Sequence, residues 1–308
     1  MSDFLPDVIP AEDLLSGKID LRSFNPPVGL AVLGDPVAHS KSPLFHNAAL
    51  QACGIAMRYA RVHAPPERFA QTAAALSQQG CCGLNVTIPH KAAALEFAYE
   101  ADDYACRSRS VNTLLFENGR TIGRNTDGPG FAAAVNEEFG VAICDLRILV
   151  LGAGGGAGRA IAVFCAMQGC RKLVLVNRSM QKAEALASEI ESFVSPTCGT
   201  QVQTIPWESK AIAAGCADVD LVVNTSAIGM QPGDPSALPE NSMRRGLMVY
   251  DTVYVGGDTP LVVAARASGA KAANGLSMLL HQGALSFEHW FHRVAPLDVM
   301  RDALLSSL

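Results

Sequence analysis

Lys91 and Asp127 are the two side chains of this chain best placed to move a proton, and each sits in a polar run: NVTIPHK (Asn85 to Lys91) and NTDG (Asn125 to Gly128). A free lysine titrates at about 10.4 and a free aspartate at about 3.9, so neither is tuned to neutral pH on its own. Burial side by side lets each tune the other. The lysine then has two possible uses. Charged, it stabilises a developing alkoxide; neutralised, it takes the alcohol proton as hydride leaves. A third run, HSKSP (His39 to Pro43), puts two hydroxyls, Ser40 and Ser42, at a helix start, a setting that suits a carboxylate. Ser42 also reads as a plain N-cap with Pro43 at the first helical position, which leaves Ser40 unexplained. Asn85 and Thr87 are polar at the carboxyl end of a buried strand, where doubly wound sheets hold ligands. A capping threonine and a solvated lysine are the plainer alternative there. The chemistry that fits is oxidation of a secondary alcohol belonging to a small carboxylate, with no metal-ligand spacing in the sequence.

A hydride needs an acceptor, and RILVLGAGGGAGRA (Arg147 to Ala160) supplies the place for one. An apolar strand runs into Gly152, Ala153, Gly154, Gly155, Gly156 and Ala157, a GxGxxA spacing that opens a helix. So few Cβ atoms let the backbone approach a pyrophosphate, which rests on the helix N-terminus. A tight helix–sheet crossing with no ligand is the competing account. One strand downstream, NAD enzymes carry an acid about 20 residues past the glycines, to hold the ribose 2′-hydroxyl. Here the strand KLVLV ends in Asn177, Arg178 and Ser179, with Lys182 one turn on. A guanidinium, a hydroxyl and an ammonium suit a 2′-phosphate instead, so the expected cofactor is NADP.

These groups must be positioned by alternating strands and helices, the grammar of an α/β protein with mostly parallel sheets. Strands are expected at 29–33, 57–62, 83–88, 148–151, 172–176, 219–223 and 248–251. Helices are expected at 43–53, 66–79, 91–99, 131–139, 156–168, 179–192 and 260–268. VNTLLFENGRTIGRNTD breaks the alternation as a hairpin turning at Asn118-Gly119. Its register pairs Phe116 with Thr121 and, extended outward, Asn112 with Asn125, so that both asparagines face one side with Asp127 just beyond. The loop 231–240 is expected at the surface. At 308 residues the prior is two domains, and 49% hydrophobic with 17% charged residues describes a globular chain. A net charge of −5 gives no footprint for nucleic acid. No apolar run reaches membrane-spanning length and the N-terminus lacks a signal pattern, so a cytoplasmic protein is expected. The nine cysteines (53, 81, 82, 106, 144, 165, 170, 198, 216) form no CxxC and are expected as buried reduced thiols.

HSKSPLFHN, GLNVTIPHK, VNT, NTDG, GAGGGAGRA, NRS, NTSAIGM, DTVY and SMLLHQGALSF stand in the order of the shikimate dehydrogenase family, which the chain resembles from about Gly34 to Trp290. The resemblance implies NADPH-dependent reduction of 3-dehydroshikimate to shikimate, in the route to aromatic amino acids. It makes Lys91 and Asp127 the catalytic pair. Ser40 and Ser42, with Tyr254, would hold the substrate carboxylate. Asn85, Thr87, Asn112 and Gln282 would bind the remaining oxygens. Thr225, Ser226 and Met230, with Gly275, would border the nicotinamide, while Gly152 to Ala157 and the Asn177–Lys182 group hold the phosphates. It further implies a discontinuous substrate-binding α/β domain (1–128 and 275–308) around a Rossmann-type NADP domain (129–274), in a monomer or homodimer. By the same reading His46 and His90 are helix-surface residues and His39 orients the serine loop. The chain departs from the family pattern at Ser110, Pro129 and Ser277, with Arg107 and Arg109 making that approach basic. One changed group in a pocket is worth about 1–3 kcal/mol. A quinate/shikimate-like paralogue with altered substrate or NAD preference is therefore the alternative, followed by a non-catalytic nucleotide-binding regulator.

Overall fold

The computed structural model describes residues 5–194 and 199–306, and Cys198 lies outside them. Its chain divides into two compact α/β units, residues 1–126 with 282–308 and residues 127–281. The second boundary falls inside the helix Leu276–Phe291.

The first unit is built on a seven-stranded mixed sheet. Its strands are β1 (Ile9–Pro10), β2 (Val28–Gly34), β3 (Arg58–His63), β4 (Gly83–Val86), β5 (Glu100–Ala101), β6 (Thr113–Glu117) and β7 (Arg120–Arg124), in the order β1-β3-β2-β4-β6-β7-β5. The pairs among β1, β3, β2 and β4 are parallel, whereas β4/β6 and β6/β7 are antiparallel. Every residue of β2 and β4 is buried, as expected of strands covered on both faces. The hairpin has the predicted register, with Phe116 opposite Thr121 and Thr113 opposite Arg124. Asn118 and Gly119 both have positive φ, which a type I′ turn requires. Trp290 closes one face by donating its indole N–H to the Leu114 carbonyl at 3.0 Å. It can lie there because Gly83 has no side chain: a Cβ would stand 2.1 Å from the indole nitrogen.

The second unit is an all-parallel six-stranded sheet of β8 (Arg147–Leu151), β9 (Lys172–Asn177), β10 (Gln201–Pro206), β11 (Leu221–Asn224), β12 (Met248–Asp251) and β13 (Lys271–Ala273), in the order β10-β9-β8-β11-β12-β13. Renumbered within the unit this is 3-2-1-4-5-6, the Rossmann order, whose switch point lies between β8 and β11. Leu149, Leu151, Val174, Val222 and Val249 form its dry centre.

Several expectations need correction. The edge strands β10 and β13, the short β1 and β5, and the helices Ser209–Ala217 and Leu297–Leu305 were not expected. An edge strand such as β10 is half solvated and carries little hydrophobic pattern. The loop 231–240 is only partly at the surface, since Ala237 and Leu238 tuck into the core of the second unit. His46 and His90 are fully buried rather than on helix surfaces. His46 stacks on Tyr59 with centroids 4.5 Å apart, and His90 stacks on Phe69 and hydrogen-bonds the Ala64 carbonyl. Cys106 and Cys144 are exposed, against the expectation of buried thiols, and Cys53 and Cys82 are half-buried. Where they are buried, as at Cys81, desolvation pushes the thiol up, to about 12.

Candidate functional site

The first unit gathers its polar side chains at the carboxyl ends of β2 and β4 and at the open end of the hairpin. The loop after β2 carries Ser40 and Ser42. Ser42 is not the N-cap: the helix Ser42–Ala52 begins on it, and no side chain caps from Lys41. The capping role passes to Ser40, whose Oγ accepts the Ser42 N–H at 3.3 Å. His39 is exposed on the preceding turn, and the contact that fixes the loop comes from elsewhere, as Arg61 Nε donates to the Ser40 carbonyl at 2.9 Å.

Asn85 ends up deeper than its sequence position implied. Its Oδ1 accepts the Tyr59 hydroxyl at 2.7 Å, and its Nδ2 faces Ser286 Oγ (2.9 Å), Thr113 Oγ1 (3.2 Å) and the Asn112 carbonyl (3.3 Å). Burial pushes the Tyr59 phenol well above its ordinary range, so it stays a donor. Both ends of the Asn85 amide are thus occupied by protein. Thr87 follows β4, with its N–H on the Leu33 carbonyl, and its methyl fills the space left by Gly34. Lys91 opens the helix Lys91–Phe97 one turn further on, its carbonyl accepting the Val111 N–H at 3.0 Å.

The two asparagines of the hairpin have different partners. Asn112 Oδ1 accepts the Thr126 N–H (2.8 Å), while its Nδ2 donates to Thr126 Oγ1 (2.9 Å) and Gln282 Oε1 (3.4 Å). Asn125 instead donates to Ser108 Oγ and the Ser110 carbonyl and serves the loop after the helix Asp103–Ser108. Ser286, one turn beyond Gln282, hydrogen-bonds Asn85 and Thr113 and lies 3.4 Å from Thr126 Oγ1. This serine was missed in the sequence because a hydroxyl on an apolar helix carries no spacing signal. The Ser110 hydroxyl, one of the departures from the family pattern, is buried with no hydrogen-bond partner among the described residues.

In the second unit β8 runs into the glycine turn and the helix Gly156–Met167. Gly152 has φ +83° and approaches Ser226 and Thr225 closely. The tight helix–strand crossing falls on Gly158: a Cβ there would stand 2.3 Å from the Gly152 carbonyl oxygen. The helix N-cap is Gly155, with no side-chain cap, which leaves the first-turn amides for an anion. Asn177 ties this turn to the next element, accepting the Gly154 N–H (3.2 Å) and donating to the Ser179 carbonyl (3.0 Å). Gly152, Gly155, Asn177, Thr225 and Ser226 line a cleft of about 630 Å³. So do Arg178 and Trp207, whose indole the Arg178 guanidinium overlies at 5.9 Å.

Trp207 and Asp234, which also borders the cleft, were missed; each sits on a loop with no recognisable spacing. Asp234 accepts the Gly229 and Gln231 N–H groups and shapes the loop that carries exposed Met230. The Thr225 hydroxyl is spent on the Leu151 carbonyl (2.6 Å) and that of Ser226 on Asn224 (2.7 Å), so these residues offer walls rather than free hydroxyls. Lys182 is exposed on the helix Met180–Phe193. Asp127 is buried at the start of the helix Asp127–Phe139, Tyr254 is half-buried after β12, and Gly275 packs on Thr252, where a Cβ would stand 2.2 Å from its carbonyl oxygen. Ser277 is accounted for by Tyr250, whose hydroxyl it meets at 3.0 Å.

Three family models match successive parts of the chain: the shikimate dehydrogenase substrate binding domain (residues 32–114), shikimate / quinate 5-dehydrogenase (134–227) and the shikimate 5′-dehydrogenase C-terminal domain (275–305). The chain is 41% identical to the shikimate dehydrogenase (NADP(+)) of Symbiobacterium thermophilum over 281 residues, 91% of this chain and 94% of that one. Among solved structures it is similar to the shikimate 5-dehydrogenase of Thermus thermophilus in complex with NADP(H) and shikimate. That likeness has TM-score 0.80 and 33% identity, covering 91% of this chain and 100% of the other. It is also similar to the quinate dehydrogenase of Corynebacterium glutamicum in complex with NAD, with TM-score 0.81 and 29% identity, covering 91% and 99%.

Proposed function

The chain belongs to the shikimate dehydrogenase family, and from that premise we propose that it interconverts shikimate and 3-dehydroshikimate with NADP(H). The observation that carries this is likeness to an NADP(+)-dependent shikimate dehydrogenase at 41% identity over 91% of the chain. The residues of the second unit fit the cofactor. An uncapped helix N-terminus and bare glycines suit a pyrophosphate, and the strand end offers Asn177 and Arg178 where an acid would repel a 2′-phosphate. When bound, NADP+ accepts a hydride from the carbinol carbon, and NADPH returns it.

The chain's own residues do the rest. Ser40 and Ser42 hold the substrate carboxylate, together with Tyr254. Asn112, Gln282 and Thr87 take the ring hydroxyls, while Asn85 acts behind them by holding Asn112 in place. Lys91 and Asp127 share the proton of the reacting hydroxyl, the lysine receiving it during oxidation and giving it back during reduction. Arg178 and Ser179, with Lys182, meet the adenosine phosphate, and Thr225, Ser226, Met230 and Gly275 wall the nicotinamide. The enzyme works in the cytoplasm as a monomer or homodimer, in aromatic amino-acid biosynthesis. Lys91→Met tests the assignment: shikimate oxidation followed by NADPH absorbance falls about 10²- to 10⁴-fold, and full activity in that variant would remove Lys91 from the chemistry.

A further inference from the structure

The serine loop is clamped at both ends by one face of β3. Arg61 and His63, two residues apart and hence on the same side of the strand, reach opposite ends of residues 35–40. His63 Nε2 lies 3.0 Å from Asp35 Oδ1, where the loop begins, and Arg61 Nε donates to the Ser40 carbonyl at 2.9 Å, where it ends. Three contacts fix Ser40 and leave its hydroxyl hydrogen as the donor for a carboxylate. Its N–H donates to the Val37 carbonyl, its carbonyl accepts from Arg61, and its Oγ accepts the Ser42 N–H.

The guanidinium has a second hold. Arg61 Nη1 donates to Asp7 Oδ1 at 2.6 Å, in the segment ahead of the part that resembles the family. That segment is itself anchored, because Ile9 and Pro10 form β1 and pair in parallel with Val62 and His63, and Ile9 is fully buried. A planar fork that grips two oxygens at once fixes both its own rotamer and the backbone it holds.

We infer that Arg61 is a positioning residue for Ser40, and that the chain's own N-terminal segment, through Asp7, tunes how tightly the serine loop grips the substrate carboxylate. This rests on the proposed carboxylate role of Ser40 and Ser42. The contact acts on ground state and transition state alike, so its loss raises KM and leaves kcat alone. A charge-assisted hydrogen bond sets the scale at about tenfold in KM for Arg61→Gln. The exposed Asp7 partner gives about twofold for Asp7→Asn, and Arg61→Lys, which keeps the charge but loses the fork, falls between the two.

The test compares shikimate with its methyl ester by steady-state kinetics, with shikimate binding followed by calorimetry. The expected result is a higher KM and Kd for shikimate, unchanged kcat and KM for NADP+, and little further loss with the ester. An unchanged shikimate KM in Arg61→Gln overturns the inference, as does an equal loss for acid and ester. Should that variant not fold, Asp7→Asn decides alone. Wild-type protein that does not turn over shikimate would instead overturn the function reading.

Discussion

Gly158→Ala isolates the crossing on which the proposed cofactor cleft depends. The added Cβ would lie 2.3 Å from the Gly152 carbonyl oxygen, 2.8 Å from its carbon and 2.5 Å from Thr225 Oγ1. Ordinary contact needs about 3.4 Å, so something must move by roughly 1 Å. The carbonyl is backbone, and the threonine hydroxyl is held by the Leu151 carbonyl at 2.6 Å, so the helix Gly156–Met167 is what gives way. Such overpacking costs about 1–3 kcal/mol. For a unit of this size that corresponds to a fall of roughly 2–12 °C in unfolding temperature. In the proposed cofactor site the same displacement would take the first-turn amides off the pyrophosphate and weaken NADP+ binding by about ten- to a hundredfold. Scanning calorimetry reads the first quantity and titration with NADP+ the second. Gly156→Ala is the stability control, because a Cβ there meets nothing within 4 Å. Wild-type stability together with wild-type NADP+ affinity in Gly158→Ala would refute the reasoning.

Asn85→Leu leaves the buried Tyr59 and Ser286 hydroxyls without their amide partner. We expect a loss of about 2–4 kcal/mol in thermal unfolding, together with a raised KM for shikimate; an unfolding temperature within about 2 °C of wild type would contradict this. His46 sets a pH dependence. Burial, only partly opposed by the nearby Asn85, lowers its pKa to about 3, and neither ring nitrogen has a hydrogen-bond partner among the described residues. The unfolded chain therefore binds the proton first, near pH ~6.5, and stability present above that pH declines as pH falls toward about 3. Between pH 7 and 5 this amounts to about 2 kcal/mol, which His46→Phe should abolish in unfolding curves taken at the two pH values. In the second unit, Arg147 holds the Asp220 carboxyl below its usual range. That contribution is complete above the unfolded carboxylate pKa of about 4 and is lost in acid as pH falls through the lowered one. Asp220→Asn should accordingly flatten the acid limb of thermal unfolding below about pH 4.

How much of this was legible depends on how local the signal is. The hairpin register followed from Asn118-Gly119, because a two-residue turn with positive φ leaves one way to pair the flanking residues. The strand–glycine–helix motif was equally local, and so was the absence of an acid at Asn177. Tertiary packing decided the remainder. His46 looks polar in sequence, yet aromatic neighbours from β3 and the last long helix enclose it. Asn85 reads as a ligand residue because nothing in NVTIPHK reveals that Tyr59 and Ser286, far away in sequence, take both ends of its amide. That Gly158 carries the helix–strand crossing was not legible in the GxGxxA spacing, because only the path of Gly152 in space brings its carbonyl against that residue.

The most direct test of the central claim is a substrate and cofactor panel: steady-state oxidation of shikimate and of quinate by the wild-type protein, each with NADP+ and with NAD+. The highest kcat/KM is expected for shikimate with NADP+, because the proposed contacts of Arg178 and Lys182 would reward a 2′-phosphate and position 177 is an asparagine rather than an acid that would reward a free hydroxyl. A clear preference for quinate with NAD+ would contradict it.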